Sequence, residues 1–281
     1  MPTYHLSYVP QKRHEIVCEI FEKLLSITSL PDMEFWIHLG DAFIGRDTNV
    51  PIFAFSTLKE QRYVINVPDF ELFTQDQELF SPVLGYSKCY PWEMKLPIAF
   101  WRGSTTSGDF HEPHWREFPR SKLVLQAVHT PNLVDSKFTN YCQGAEANQD
   151  FLNSMGLAAE HVSIMDHIPF KYLIDVDGNA STYSRFFWIL LSNCMPLKVE
   201  SNFMQWYYVG LTPYYHYLPV KEDSSNLAQQ IQWAIDHDSQ AAQMANNSQA
   251  FAKQYLDEDG VYTYLYHLLK RYAEICNDQK K

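Results

Sequence analysis

The chain has 281 residues, which is enough for one large domain or two small ones with a sizeable buried core. Apolar residues make up 46% of the sequence and charged residues 20%, a composition typical of a soluble globular protein. The net charge of −11 argues against a general nucleic-acid binder, because such proteins present a basic surface to the phosphate backbone. We therefore expect no nucleic acid among its partners.

The cysteines and the apolar segments predict the cellular compartment of the protein. The five cysteines are scattered and include no CxxC pair, so we predict neither a disulfide framework nor a zinc site. Residues 1–21 contain no continuous apolar core, and the longest apolar run, Phe186 to Leu191, is too short to span a bilayer. These features predict a cytoplasmic protein with at most peripheral contact to a membrane.

The first elements along the chain follow a helix–strand order. Apolar residues recur at helical spacing over 13–29, which predicts an amphipathic helix. Short apolar runs at 33–39 and 51–56 predict two strands, whereas residues 57–95 contain turn signals and no regular pattern. A helix followed by short buried strands is typical of an α/β layer.

The second part of the chain alternates predicted strands and helices. In chain order these are a strand at 97–101, a helix or strand at 122–128, a strand at 172–176, a helix at 184–192, a strand at 195–199, and helices at 225–237 and 260–276. A break in composition near 89–96 predicts one domain over 1–95 and a second over 96–281. The last helix, over 260–276, can pack back on the N-terminal domain.

The strand–turn–helix segment over 172–192 has the features of a phosphate site. The residues expected to contact the phosphate are Gly178, Asn179, Ala180, Ser181, Ser184 and Arg185. Free N–H groups and the positive end of the helix dipole would face the turn, and Arg185 adds a fixed positive charge. From spacing alone, an equally good interpretation is that Ser181 caps the helix and Arg185 forms a surface ion pair.

Two carboxylates at the end of the same strand offer a rival interpretation. Asp175 and Asp177 are two residues apart and share one face of the strand, which is a geometry that can hold Mn²⁺ or Mg²⁺ against a diphosphate. Because Arg185 already supplies a positive charge, we expect no metal ion here.

Two further candidate sites follow predicted strands. The strand at 97–101 runs into Arg102, Gly103 and Ser104, whose N–H groups and hydroxyl can meet a phosphate. When this segment is considered alone, an ordinary loop is the favoured interpretation. Asp41 follows an earlier strand, at the end where open α/β sheets bind ligands. It can serve as a general base, and the commoner role for such an aspartate is in a turn or a helix cap.

Six blocks spread over nearly the whole chain carry a family resemblance. They are LPDMEFWIHLGD (30–41), PIFAFS (51–56), FWRGSTTS (100–107), PNLVD (131–135), KYLIDVDGNASTYSR (171–185) and HYLPVKEDSSNL (216–227). Together they resemble family ninety of the glycosyltransferases, which contains protein O-glucosyltransferases, capsule-associated enzymes and bacterial lipopolysaccharide-modifying enzymes. The RGS loop and the KYLIDxDG block are the most specific of the six.

The resemblance implies an α/β fold with two Rossmann-like domains facing a cleft, known as GT-B. It also implies an inverting enzyme that uses a UDP-sugar and needs neither a metal ion nor a cofactor. In that family the aspartate that ends the LPDME strand is the catalytic base, which falls here on Asp41.

The resemblance also assigns residues to the UDP-sugar. The serine of the RGS loop contacts UDP and corresponds to Ser104, while the arginine at the start of the SR helix corresponds to Arg185. An arginine downstream of the RGS loop binds the diphosphate and corresponds to Arg120. An insertion over 108–118 makes Arg116 the alternative.

The chain departs from the eukaryotic members in ways that bear on the acceptor. It is shorter between the PIFAFS strand and the RGS loop, where those enzymes hold a folded protein, and it has none of their paired cysteines. We therefore expect transfer of a hexose, glucose or galactose, to a lipopolysaccharide core or another glycan. The alternatives are a protein O-glucosyl- or xylosyltransferase, a non-catalytic nucleotide-sugar-binding protein, and a metal-dependent GT-A enzyme that uses Asp175 and Asp177.

Overall fold

A computed structural model describes residues 11–45, 50–111 and 114–278 of the chain. Two parallel sheets organise these residues, a small one near the N-terminus and a larger one formed mainly by the second part of the chain. The ends of both predicted domains, 1–10 and 279–281, lie outside the described residues. Among the residues described, no helix combines the length and the apolar character needed to cross a membrane.

The smaller sheet has three parallel strands in the order β1-β2-β4. The elements of this unit are α1 (Gln11–Ile27), β1 (Trp36–His38), β2 (Ile52–Ala54), β3 (Thr57–Leu58) and β4 (Val64–Asn66). The helix predicted over 13–29 is present, and both predicted strands are present in shorter form. Strand β3 lies outside the sheet.

The C-terminal helix α8 (Glu258–Asp278) completes the core of the N-terminal unit. Its Tyr262 and Leu265 are buried in one cluster with Leu24 of α1 and Phe53 of β2. Full burial of a leucine such as Leu24 contributes roughly 1.5–3 kcal/mol of stability. The chain therefore ends against the unit in which it begins.

The larger sheet has five parallel strands in the order β10-β8-β7-β5-β6. The strands are β5 (Leu96–Ser104), β6 (Val134–Asn140), β7 (Phe170–Asp175), β8 (Met195–Val199) and β10 (Leu218–Val220). The helices around the sheet are α2 (Gln75–Cys89), α3 (Pro119–His129), α4 (Gln149–Ser154), α5 (Ser184–Leu191), α6 (Leu227–Asp236) and α7 (Asp238–Tyr255). Strand β7 is buried on both faces: Ile174 packs with residues of α3 and α6, and Leu173 packs with α5.

Two long helices of the structure were not predicted from the sequence. Helix α2 contains Pro82, which breaks the pattern expected of a helix interior. Helix α7 buries mostly small residues, among them Ala241, Ala245 and Ala252, so it has no large apolar stripe to reveal it. The ambiguous segment at 122–128 belongs to helix α3.

A short antiparallel ribbon ties the two units together. Strand β3 pairs with β9 (Phe203–Met204), which places Leu58 opposite Phe203. The ribbon continues into a hydrogen bond from the Lys59 N–H to the Asn202 carbonyl at 2.8 Å. The units are therefore joined by backbone hydrogen bonds as well as by the chain itself.

The carboxyl ends of the two sheets face each other. The Ser181 hydroxyl, beyond β7, donates to the Ser56 hydroxyl, beyond β2, at 2.8 Å. The Tyr183 hydroxyl donates to the carbonyl of Asp41, which follows β1. This arrangement confirms the predicted α/β fold with two units that face a cleft.

Candidate functional site

Strand β5 ends in a closely packed loop at the cleft. A Cβ atom on Gly103 would lie 2.4 Å from the Trp101 ring, so a larger residue would force this buried ring to move. The hydroxyl of the next residue, Ser104, accepts a hydrogen bond from the Asn140 amide at 3.2 Å. Gly103 and Ser104 therefore lie where the carboxyl ends of β5 and β6 meet.

The side chain of Arg102 is paired with a carboxylate of the protein. Its guanidinium forms an ion pair with Asp135 at 2.7 Å and lies 4.2 Å from the centre of the Phe100 ring. Its carbonyl accepts a hydrogen bond from Arg185 at 2.7 Å. Arg102 therefore contributes its backbone carbonyl to the candidate site. Its side chain, which was predicted to bind the donor, is already paired with Asp135.

Of the two candidate arginines in this region, Arg120 is the one that reaches the loop after β7. It donates to the Asp177 carbonyl at 3.2 Å and to the Ser104 carbonyl at 3.1 Å. A Cβ atom on Gly178 would lie 2.9 Å from its terminal nitrogen. Arg116 is instead exposed, with its guanidinium 4.7 Å from the Trp115 ring centre. Arg120 thus joins the Ser104 and Gly178 loops.

The backbone of the loop after β7 differs from the prediction. The N–H groups of three of its residues donate to protein oxygens: Ser181 to the Ser56 hydroxyl, Thr182 to the Asp177 carboxylate and Ser184 to the Glu71 carboxylate. These groups were expected to be free for a phosphate. In the structure these three N–H groups already have protein acceptors, which are supplied by residues that local sequence does not reveal.

Two other residues of the loop after β7 contribute to its shape. The side-chain oxygen of Asn179 accepts hydrogen bonds from the Ser107 N–H at 3.3 Å and from the Gln143 amide at 2.9 Å. Ala180 is buried, with 6% of its surface exposed. Asn179 therefore fixes the loop against its neighbours.

Arg185 carries a charge that the surrounding protein does not neutralise. One terminal nitrogen donates to the Arg102 carbonyl, and the other is buried with no hydrogen-bond partner. Burial and the positive charge of Arg120 together lower the pKa of Arg185 to about 10, while the negative charge of Asp175 acts in the opposite direction. Two guanidinium groups thus lie within electrostatic reach of each other at the ends of β5 and β7.

The carboxylates of Asp175 and Asp177 are engaged inside the protein. The ammonium group of Lys198 lies 2.6 Å from Asp175 and 3.9 Å from Asp177. Hydroxyls of Thr182 and Ser201 donate to the same two carboxylates. Burial opposes the charge on Lys198, but the two carboxylates outweigh it and raise the pKa of Lys198. Among the described residues, no group of three His, Cys, Asp or Glu side chains is arranged to hold a metal ion.

Replacing Lys198 by Met should lower the free energy of unfolding by about 3–5 kcal/mol, because it leaves two buried carboxylates without their counter-charge. Urea denaturation measures this loss. Lys171→Met is the matched control: its partner Asp238 is 48% exposed, so the expected loss is at most about 1 kcal/mol. Equal losses in the two variants would contradict the buried role of Lys198.

Asp41 lies on the opposite wall of the cleft and has a partner that was not predicted. Arg13 of α1 donates to the Asp41 carboxylate at 2.7 Å and to the Leu39 carbonyl at 3.0 Å. The Arg13 guanidinium also lies 4.5 Å from the centre of the Phe70 ring. The Asp41 side chain remains 42% exposed. Arg13 therefore orients a carboxylate that solvent or a ligand can still reach.

A second carboxylate, Glu71, lies close to this pair. It accepts the Ser184 N–H at 3.4 Å, at the start of α5. Burial raises the pKa of Glu71, which is also influenced by the charges of Arg13 and Asp41. Glu71 follows no predicted strand and belongs to none of the motifs identified in the sequence, so it was not predicted.

A cavity opens beside Gly178, at the carboxyl ends of β7, β8 and β10. Its walls include Glu200, Glu222, Leu58 and Phe203. The cavity therefore spans both units, because Leu58 belongs to β3.

A known protein family matches this sequence over almost its whole length. The family described as glycosyl transferase family 90 matches residues 3–280. The chain belongs to glycosyl transferase family 90. This membership confirms the family indicated by the six sequence blocks, and Asp41 and Arg185 lie in two of the blocks that led to it.

Named relatives of this family 90 chain include two protein O-glucosyltransferases. It is 30% identical to protein O-glucosyltransferase 2 of Danio rerio over 266 residues, covering 90% of this chain and 50% of the relative. It is 27% identical to protein O-glucosyltransferase 1 of Homo sapiens, covering 89% of this chain and 64% of the relative. The chain spans about half to two thirds of the length of the curated relatives it matches.

Among solved structures, Anabaena HepE in complex with UDP and glucose is similar to 78% of this chain. The match has a TM-score of 0.46 and 14% sequence identity, and it covers 62% of HepE.

Proposed function

We propose that this family 90 chain is a glycosyltransferase that moves a sugar from a UDP-sugar to an acceptor hydroxyl. The observation that carries the proposal is the pair of guanidinium groups on Arg120 and Arg185. In the part of the chain that the structure describes, both donate to backbone carbonyls and neither pairs with a carboxylate. Two uncompensated positive charges at the carboxyl ends of parallel strands suit a diphosphate.

The proposed reaction is a single displacement with inversion at the anomeric carbon. The acceptor oxygen attacks that carbon while Asp41 takes its proton, and the bond to UDP breaks on the opposite side. Negative charge develops on the leaving UDP, and Arg120 and Arg185 stabilise it. Arg13 holds the Asp41 carboxylate at 2.7 Å and thereby fixes the position of the base.

No metal ion takes part in the proposed reaction. The two arginines supply the positive charge that a metal would otherwise bring to the diphosphate. Asp175 and Asp177, the only D-x-D pair in the KYLIDVDG block, share the ammonium group of Lys198 instead.

Transfer should therefore continue at an unchanged rate in excess EDTA. The measurement is the rate of UDP release, and of product formation, before and after chelation. Recovery of a lost rate by added Mn²⁺ would contradict the metal-independent mechanism and revive a role for Asp175 and Asp177.

The proposed donor sugar is a hexose, with glucose favoured over galactose by the names of the relatives. The proposed acceptor is a lipopolysaccharide core or another glycan. A protein acceptor is the second candidate, and the observation in its favour is the 30% identity to a protein O-glucosyltransferase.

A two-step experiment tests the proposal. First, UDP-glucose, UDP-galactose and UDP-xylose are compared for thermal stabilisation of the chain, since a ligand bound only by the native state raises the melting temperature. The best donor is then offered with lipopolysaccharide, oligosaccharides or folded proteins, and the products are identified by mass spectrometry. Stabilisation by none of the donors would contradict the proposal. Binding without transfer to any acceptor would favour a non-catalytic nucleotide-sugar-binding protein.

A further inference from the structure

One buried histidine near the candidate site has no role in the reaction described above. His167 lies on a short turn before β7, with 4% of its surface exposed. Its ring packs edge-on against the Phe100 ring, with the centroids 5.0 Å apart, and against the Trp188 ring at 5.1 Å. The Arg102 guanidinium lies 4.2 Å from the first of these rings, and the Arg185 guanidinium lies 5.9 Å from the second. His167 therefore shares its aromatic neighbours with two arginines.

The surroundings of His167 define its protonation. Its Nδ1 atom lies 2.9 Å from the Ser163 carbonyl, which can only accept a hydrogen bond, so Nδ1 carries a proton and donates it. Burial and, after it, the positive charge of Arg185 lower the pKa of His167 to about 4, while the Ser163 carbonyl acts in the opposite direction. The imidazole is therefore neutral at pH 7, and its other nitrogen, Nε2, is a hydrogen-bond acceptor.

This acceptor and a donor on Arg185 are both unsatisfied. Nε2 of His167 is buried without a hydrogen-bond partner, and so is Nη1 of Arg185. A buried polar group without a partner costs about 1–3 kcal/mol, so each one calls for a physical explanation. The two groups are complementary, and both side chains pack against the Trp188 ring.

Arg102 is the other arginine near His167, and it has less need of this acceptor. Its Nε atom is also buried without a partner, but its guanidinium is already held by Asp135 at 2.7 Å. The Arg185 side chain makes one hydrogen bond within the described residues, to the Arg102 carbonyl. A single hydrogen bond leaves the guanidinium plane free to turn, so Arg185 is the arginine that requires a second contact.

We propose that His167 is a positioning residue for Arg185: its Nε2 atom accepts a hydrogen bond from Nη1 and holds the guanidinium in the orientation that binds the diphosphate. This inference rests on the proposed function, in which Arg185 binds that group. The two atoms are not hydrogen-bonded to each other in the structure. The bond therefore forms as the Arg185 side chain adjusts to the diphosphate, and it contributes to nucleotide affinity more than to the stability of the free chain.

The test measures the UDP affinity of wild type, His167→Phe and His167→Gln by calorimetry, and the melting temperature of each without UDP. Phenylalanine keeps a ring against Phe100 and Trp188 but has no acceptor. It should weaken UDP binding about 10-fold, which is the effect of losing one hydrogen bond to a charged group. Glutamine keeps an acceptor oxygen and should restore most of the affinity. A UDP affinity that instead followed the melting temperatures would contradict the positioning role.

The coupling to Arg185 is tested by combining His167→Phe with Arg185→Ala. We expect no further loss of UDP affinity in the double variant, because the donor of the hydrogen bond is already absent. An equal loss from His167→Phe in both backgrounds would overturn the proposal. If His167→Phe does not fold, His167→Met takes its place, since methionine is as long as glutamine and its sulfur is only a weak acceptor.

His216→Phe is the matched control. His216 is 8% exposed, and burial lowers its pKa as well. Its Nδ1 atom accepts the Thr212 N–H at 2.9 Å, and its ring contacts those of Tyr215 and Phe251. We expect its replacement to leave UDP affinity unchanged.

The outcomes separate this inference from the proposed function. Wild-type UDP affinity in His167→Phe, or an equal loss in His216→Phe, would overturn the positioning role and leave the proposed function intact. Failure of the wild-type chain to bind UDP would overturn the proposed function, and the role of His167 with it.

Discussion

Replacing Asp41 by Asn is expected to slow sugar transfer about 10²- to 10⁴-fold, which is the usual effect of removing a group that transfers a proton. The amide has the size of the carboxylate but cannot accept the proton of the acceptor hydroxyl. The UDP affinity should change little, because Asp41 lies on the wall opposite Arg120 and Arg185. Initial rates of product formation and calorimetry with UDP measure the two effects separately.

Glu71→Gln is the informative control for this prediction. Glu71 is the other carboxylate influenced by the charge of Arg13, and its pKa is raised by burial. It already accepts the Ser184 N–H, whereas the Asp41 side chain is 42% exposed. We therefore expect the larger loss of rate from Asp41→Asn. A larger loss of rate from Glu71→Gln than from Asp41→Asn would indicate that Glu71 is the catalytic base.

The ends of the strands could be predicted because their signals are local. An apolar strand followed directly by Asp41, by Arg102-Gly103-Ser104 or by Asp177-Gly178 places polar residues at the edge where parallel strands end. This pattern holds for both sheets, so the main parts of the candidate site follow from the order of residues alone.

The partners of these residues could not be predicted because they are distant in the sequence. Arg13 is 28 residues from Asp41, and Ser56 is 125 residues from Ser181. Arg13 belongs to no spacing that sets it apart from an ordinary helix residue, and the PIFAFS block that contains Ser56 does not indicate what the Ser56 hydroxyl contacts. Only the docking of the two units reveals that they orient the base and occupy the N–H groups of the donor loop.

This docking also changes the source of positive charge for the diphosphate. The sequence suggested a helix N-terminus with free N–H groups, but Ser184 at the start of α5 donates to Glu71. The guanidinium groups of Arg120 and Arg185 are the charges that remain uncompensated. Anion binding at this site should therefore depend on the arginines more than on the backbone.

Replacing Arg120 or Arg185 by Ala should weaken UDP binding about 10- to 100-fold, because each removes a charged hydrogen-bond donor from the diphosphate. The affinity should also depend less on salt in each variant than in wild type, since ions screen the attraction between a guanidinium group and the diphosphate. Calorimetry at two ionic strengths measures both effects. Thermal melting of each variant shows whether it is folded, which matters because Arg185 is partly enclosed in the core.

Arg116→Ala is the matched control for this pair, and it separates the two arginines that the sequence alone could not rank. Arg116 is exposed over the Trp115 ring, away from the contacts of Arg120 with Ser104 and Asp177. We expect its replacement to leave UDP binding unchanged. Loss of UDP binding in Arg116→Ala, with wild-type affinity in Arg120→Ala, would indicate that the diphosphate binds near Trp115 and not at the Gly178 loop. Because the positive charge lost is the same in all three variants, a general electrostatic effect would weaken all of them equally.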